Sequence, residues 1–292
     1  MPLPLPKPSP VSRAVLVTGC SSGIGEASAR QLLTAGWTVW ATARDVSTLA
    51  ALEAAGARVV ALDVTDEGSR RDAVAAVVAE HGAVGALVNN AGYGQYGPVE
   101  EVPLERWRAQ FETNLFGVVG MTQLVLPGMR AQRWGRVVNV SSMGGRFALP
   151  GGGAYHASKF ALEGMSDALR LEVRGFGVRV SLVEPGPVST PWARTAIDTS
   201  LQASAEEMEG PYGRFRTELA AQLTGVYRES RVSLASSPDT VGRVVARAVA
   251  SRRPRARYAV GAAGRAMVML RRLSPDVVFD ATLCAQFPVP RP

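Results

Sequence analysis

The feature that most limits what this chain can become is an alternation that begins at Ala14 and ends at Val260. Short β-branched runs are separated by longer stretches whose apolar residues recur at helical spacing. Parallel strands need a crossover of a dozen or more residues, and a helix is the usual one. The alternation predicts an α/β fold, a Rossmann-type doubly wound parallel sheet of about seven strands with helices on both faces. The predicted strands are residues 14–18, 38–43, 58–62, 86–88, 136–140, 179–183 and 257–260. Runs such as Val15-Leu16-Val17 are apolar without alternation, which marks strands buried on both faces. Residues 24–35, 67–81, 107–133, 154–174 and 238–250 are the predicted helices.

The alternation also sets the domain plan. Residues 1–12 read as an extended Pro-rich tail and residues 13–292 as one Rossmann-type domain. Within that domain, residues 187–237 form a long polar connection with little periodicity. A connection of this length is a binding lid or a disordered segment, and a substrate-binding lid is the reading adopted. Residues 261–292 form a C-terminal extension, basic and apolar. It is either a packed helix, the commoner outcome, or one that lies on a membrane surface.

Composition removes several classes of function. The chain has 292 residues, 47% hydrophobic, with 32 basic against 25 acidic residues and a net charge of +7. The positive charge is mostly scattered Arg, with one local cluster at Arg252, Arg253, Arg255 and Arg257, and there is no zinc-finger spacing or aromatic RNA-binding signature. No nucleic-acid partner is expected. Cys20 and Cys284 are far apart and form no metal-ligand pattern, so no metal is expected and a reducing compartment is. No apolar run is long enough to span a membrane, and a cytoplasmic location is expected.

The first predicted strand runs into Thr18-Gly19-Cys20-Ser21-Ser22-Gly23-Ile24-Gly25 and then a helix. Glycines permit close backbone approach, and a helix N-terminus presents unpaired N–H groups and a positive dipole end to a pyrophosphate. This pattern after a first strand reads as a dinucleotide cradle involving Gly19, Ser21, Ser22, Gly23, Ile24 and Gly25. The second strand ends at Ala43-Arg44, where an NAD site usually places an acidic residue for the ribose hydroxyls. Arg44 suits a 2′-phosphate instead, and the rival reading is a solvated surface Arg. NADP(H) is therefore preferred over NAD(H). Asp63, with Val64 after it, ends the third strand where it can meet the adenine amino group, and Thr65 or Asp66 caps the next helix.

The fourth strand enters Asn89-Asn90-Ala91-Gly92, small residues that leave room for a cofactor ring. In Tyr155-His156-Ala157-Ser158-Lys159, Tyr155 and Lys159 share a helix face. Lys159 and Lys7 are the only two lysines in the chain. His156 and His81 carry no such pattern and read as structural or surface residues.

Together these motifs resemble those of the classical short-chain dehydrogenase/reductase family over nearly all of residues 14–260. The runs Ala41-Thr42-Ala43-Arg44-Asp45, Asn89 to Gly94 and Gly97 to Glu101 are most similar to the branch of 17β-hydroxysteroid and retinol dehydrogenases. The resemblance implies a catalytic set of Asn114, Ser142, Tyr155 and Lys159. It also implies a cofactor site completed by Asn90, Ala91, Gly92, Pro185, Gly186, Val188 and Thr190. Gln95, Met143, Phe147, Leu149, Pro187 and Trp192 would join Ser142 and Tyr155 around the substrate, an apolar carbonyl or alcohol of steroid, retinoid or aryl-ketone type.

In that reading Tyr155 exchanges a proton with the substrate oxygen while Ser142 holds it. A free phenol titrates near pH ~10, and Lys159 is expected to bring Tyr155 toward ~7 by charge proximity, aided by an oxidised cofactor. Asn114 is expected to hold a water that links Lys159 to solvent. The alternative is a catalytically weak NADP(H)-binding regulator of the same fold. A homodimer or homotetramer is expected through residues 107–133 and 154–174.

Overall fold

The computed structural model describes residues 11–227, 235–287 and 289–290. Residues 1–10 of the Pro-rich run lie outside the described residues, as do residues 228–234 of the long connection.

The chain opens with β1 (Ala14–Val17), α1 (Gly23–Thr34), β2 (Thr38–Ala43), a short α2 (Ala50–Ala54) and β3 (Arg58–Ala61). It continues through α3 (Glu67–His81), β4 (Ala86–Asn89), α4 (Leu104–Phe111), a π-helical turn at Glu112–Phe116 and α5 (Gly117–Ala131). Then come β5 (Gly135–Val140), α6 (Gly153–Glu172) and β6 (Val178–Pro185). Three helices follow, α7 (Trp192–Leu201), α8 (Ala205–Glu209) and α9 (Gly213–Tyr227). The described chain ends with α10 (Pro238–Ala250), β7 (Arg257–Val260), α11 (Ala262–Leu273) and α12 (Asp276–Gln286).

The seven strands form one parallel sheet in the order β3-β2-β1-β4-β5-β6-β7. This is the doubly wound arrangement that the alternation predicts. Successive β1 side chains take opposite faces. Val15 and Val17 pack with Leu32 of α1 and with Val241 and Val245 of α10. Leu16 packs on the other side with Val74 and Val77 of α3 and with Met121 and Val125 of α5. Two buried faces explain the unbroken apolar runs. The direction of winding reverses between β1 and β4, and a crevice opens at the strand C-termini there.

Two expectations need correcting. Residues 107–133 are not one regular helix: Pro103 starts α4 earlier, and the π turn interrupts it before α5. Where little periodicity was expected, the described part of residues 187–237 is largely helical. Ser204 and Glu207 form a reciprocal capping box on α8, and Phe215, Leu219 and Leu223 of α9 turn inward at i, i+4 and i+8. That spacing is present in the sequence, but Arg216, Thr217 and Glu218 between the apolar residues obscure it. Of the two candidates for the α3 cap, Asp66 is the one used, accepting from the Ser69 N–H at 2.6 Å. Among the described residues no helix is long and apolar enough to cross a membrane.

Candidate active site

A cavity of about 1080 Å³ runs from the crevice between β1 and β4 to the helices after β6 and β7. Its floor is the glycine turn after β1. Gly19 adopts φ +71°, and a Cβ there would come within 2.9 Å of the Ala91 Cα. A Cβ on Gly25 would overlap the Gly19 carbonyl oxygen and crowd the Asn90 amide. Asn90 ties the turn to β4, its Nδ2 donating to the carbonyls of Thr18 (3.0 Å) and Gly19 (2.9 Å). Ser22 precedes α1 without a side-chain cap, so the first-turn N–H groups face the cavity without that competitor. Bare backbone, a helix N-terminus and an apolar floor fit a dinucleotide pyrophosphate.

Ser21, Ser22, Gly23, Ile24, Arg44, Asp63, Val64, Asn90, Ala91 and Gly92 line this end, as the sequence predicts. Ala43 closes β2, so no carboxylate stands at that strand end. Thr65 donates to the Asp63 carboxylate from its hydroxyl (2.7 Å) and its N–H (2.9 Å), holding Asp63 below the usual carboxylate range with help from nearby Arg44. Pro185, Gly186, Val188 and Thr190, at and beyond the end of β6, line the opposite wall.

Midway along the cavity stand Ser142, Tyr155 and Lys159. Ser142 follows β5, and its hydroxyl oxygen accepts from the Gly144 N–H at 3.0 Å, which leaves its proton to be donated elsewhere. Tyr155 and Lys159 are successive turns of α6, both buried. Lys159 Nζ lies 6.0 Å from the centre of the Tyr155 ring and donates to the Val140 carbonyl at 2.9 Å. Burial pushes Lys159 down to about 8 and Tyr155 up to about 12, the latter against a side-chain hydrogen bond from Ser142. The depressed Tyr155 expected from the Lys159 charge is thus not a property of the chain by itself. Desolvation of the phenolate sets the direction of that shift.

Asn114 and Gln95 do not line the cavity. Asn114 sits behind it in the π turn, a device common at functional sites. Its amide clamps the Tyr93 backbone, accepting from the N–H (3.2 Å) and donating to the carbonyl (3.0 Å), and also reaches Ser158. Asn114 thereby fixes the Tyr93 segment against α6. Gln95 is buried with its Nε2 on the Tyr96 carbonyl, which turns it away from the substrate position predicted for it.

Met143, Phe147, Leu149, Pro187 and Trp192 do line the far end. The Trp192 ring centre is 5.1 Å from that of Tyr155, and Tyr96 stacks on Tyr155 at 5.9 Å. Sequence reasoning missed Tyr96, His156, Gln222, Met267 and Phe287, which share this wall. His156 is buried beside Tyr155 and is neither a surface residue nor remote from the site. Its Nδ1 meets the Gly144 carbonyl at 2.9 Å and therefore carries the proton, and burial pushes its pKa down to about 4. The helix hairpin α11–α12 closes the end. Phe279 and Leu283 pack on Phe147, and the Gln286 carbonyl accepts from Gln222 of α9 at 2.6 Å.

The short chain dehydrogenase family profile matches residues 13–200. The chain belongs to the short-chain dehydrogenase family. It is 37% identical over 248 residues to 3-ketodihydrosphingosine reductase of Bacteroides thetaiotaomicron, covering 85% of this chain and 87% of that one. Human retinol dehydrogenase 8 is 35% identical over 252 residues, covering 83% of this chain and 79% of its own. A Streptomyces avermitilis short-chain dehydrogenase superposes with a TM-score of 0.74 at 33% identity, over 94% and 95% of the two chains. A Burkholderia phymatum short-chain dehydrogenase/reductase solved with NAD gives 0.75 at 26%, over 97% and 98%. A metagenomic short-chain oxidoreductase solved with NADP gives 0.65 at 30%, over 86% and 98%. The chain is an oxidoreductase of this family.

Proposed function

We propose that this oxidoreductase uses NADP(H) to interconvert a carbonyl and a primary or secondary alcohol on an apolar substrate of steroid, retinoid or aryl-ketone type. The observation that carries the reading is the convergence of Ser142, Tyr155 and Lys159 where the glycine-floored and apolar ends of one cavity meet. When bound, the nicotinamide exchanges a hydride with the substrate carbon. Gly19 and Gly23 bring backbone to the pyrophosphate, and Gly25, behind them and outside the cavity lining, lets the turn close. Arg44, with no acidic residue at the end of β2, favours a 2′-phosphate.

Ser142 donates to the substrate oxygen while its own oxygen is held by Gly144. Tyr155, protonated at neutral pH because it is buried, gives its proton to that oxygen in the reductive direction. The phenolate left behind is stabilised by the Lys159 ammonium one turn away. Names of relatives support the substrate class, since both a sphingoid ketone and retinol are lipophilic. Phe116, Phe160 and Leu171 are exposed on the π turn and α6, and they support a homodimer or homotetramer through these helices.

The test is NADPH absorbance with a panel of lipophilic ketones. The wild-type chain is expected to consume NADPH with at least one of them. Tyr155→Phe is expected to lower kcat about 1000-fold while NADPH still binds. Near-normal turnover in that variant overturns the mechanism.

A further inference from the structure

We propose that Glu163 is a positioning residue for this reaction: a buried carboxylate one helical turn beyond Lys159 that keeps the Lys159 ammonium charged. It thereby sets the pH above which Tyr155 loses its cationic neighbour. The inference rests on the proton-transfer role proposed for Tyr155.

Tyr155, Lys159 and Glu163 follow one another at intervals of four on α6, so the three side chains share a face. The hydrogen bond that Lys159 makes, to the Val140 carbonyl, involves a neutral partner. Glu163 is 5% exposed, an unusual place for a carboxylate unless it is paired. Its Oε2 takes the Arg257 Nε from β7 at 3.0 Å, its Oε1 is buried, and the Ser141 hydroxyl faces the carboxylate as a hydrogen-bond donor. Gly145 presses on this turn: a Cβ there would lie 2.9 Å from the Glu163 Cγ and 3.0 Å from the Lys159 carbonyl.

The charged groups around Glu163 come from every element packed on it. Arg257 also binds Asp167 of α6 at 2.6 Å and Glu184 of β6 at 3.2 Å, and Glu184 takes Arg146 from the turn after β5 at 3.0 Å. Asp167 in turn pairs with Arg170 at the surface. Ser141 at the end of β5 completes the surround. Arg257 is therefore anchored by two other carboxylates, and anchoring it does not require a third in the interior. A buried carboxylate is costly to keep, and its position favours a use specific to charge. Burial lifts Glu163 to about 6, which leaves it ionised at neutral pH, while its charge opposes the burial that drives Lys159 down to about 8.

Two lysines make the test direct. In protein labelled with 13C at the lysine ε carbons, Lys159 and Lys7 give two resonances, and Lys7→Arg assigns them. The wild-type Lys159 resonance is expected to titrate near pH 8, with a second inflection near pH 6 as Glu163 gains its proton. In Glu163→Gln the second inflection disappears, and the Lys159 midpoint falls by about one pH unit, a tenfold change in its protonation constant. The alkaline limb of kcat moves down with it, and Glu163→Asp restores both.

An unmoved Lys159 midpoint in folded Glu163→Gln overturns the inference, as does a kcat limb that stays while the midpoint moves. Should Glu163→Gln fail to fold, the wild-type titration decides, and a Lys159 resonance with no inflection near pH 6 overturns it. Because the resonance is read without turnover, failure of the proposed reaction remains distinguishable: no ketone consumes NADPH, yet the two groups titrate together.

Discussion

At the glycine end of the cavity the floor is backbone, supplied by the turns after β1 and β4 and fastened by the Asn90 amide and the Thr18 hydroxyl. At the apolar end the walls are side chains from α6, α7, α9, α11 and α12, elements spread over more than a hundred residues of sequence. The first end is intolerant because each atom stands at contact distance from another part of the chain. The second is adaptable, since a helix can change a side chain without moving its axis. One constant end and one variable end suit an oxidoreductase whose cofactor chemistry is shared across a family while its substrates differ.

The contrast breaks most sharply at Gly25. Gly25→Ala puts a methyl group into the Gly19 carbonyl oxygen, and the turn must open to receive it. A cost of about 3 kcal/mol in chemical denaturation is expected, with NADPH affinity falling about 100-fold by calorimetry. An unchanged affinity would show that backbone closeness is not what builds this end.

Phe279→Ala probes the other end. It removes the ring that packs on Phe147 at 5.9 Å, and a cost of about 3 kcal/mol is expected by denaturation. The KM for a lipophilic ketone should rise while the NADPH dissociation constant stays put. If both constants moved together, the two ends would be one mechanical unit.

Arg44→Ala is the mildest of the three. It should cost NADPH about tenfold in affinity, near 1.4 kcal/mol, and leave NADH unaffected. Equal wild-type affinity for the two cofactors removes the Arg44 argument altogether.

The same contrast explains what could be read in advance. The β2 and β7 bounds match residue for residue, as do those of α3 and α10, because propensity, periodicity and capping agree there. The cradle was legible because glycine marks backbone closeness directly. Tyr155 and Lys159 were legible as a pair on one helix face, and Ser142 only through the resemblance to the family. Met267 and Phe287 carry no local sign of their role, since what places them is the packing of α11 and α12 on Phe147, a contact more than a hundred residues away in sequence. Of the two readings open for His156, structural or surface, it is the buried structural one that holds, and its place beside Tyr155 could not be seen because its partner is a backbone carbonyl, which leaves no trace in residue type. The burial that raises Tyr155 in the chain by itself could not be read from spacing, because desolvation depends on packing.

The imidazole of His156 lies between two residues without side chains. A Cβ on Gly144 would come within 2.6 Å of its Nδ1, and one on Gly152 within 2.6 Å of its Nε2. Trimming His156 to Ala therefore opens a crevice beside the Tyr155 ring that neither neighbour has atoms to refill. Under the proposed function, position 156 becomes a dial for substrate girth, expected to admit a bulkier ketone beside Tyr155 without touching the glycine floor.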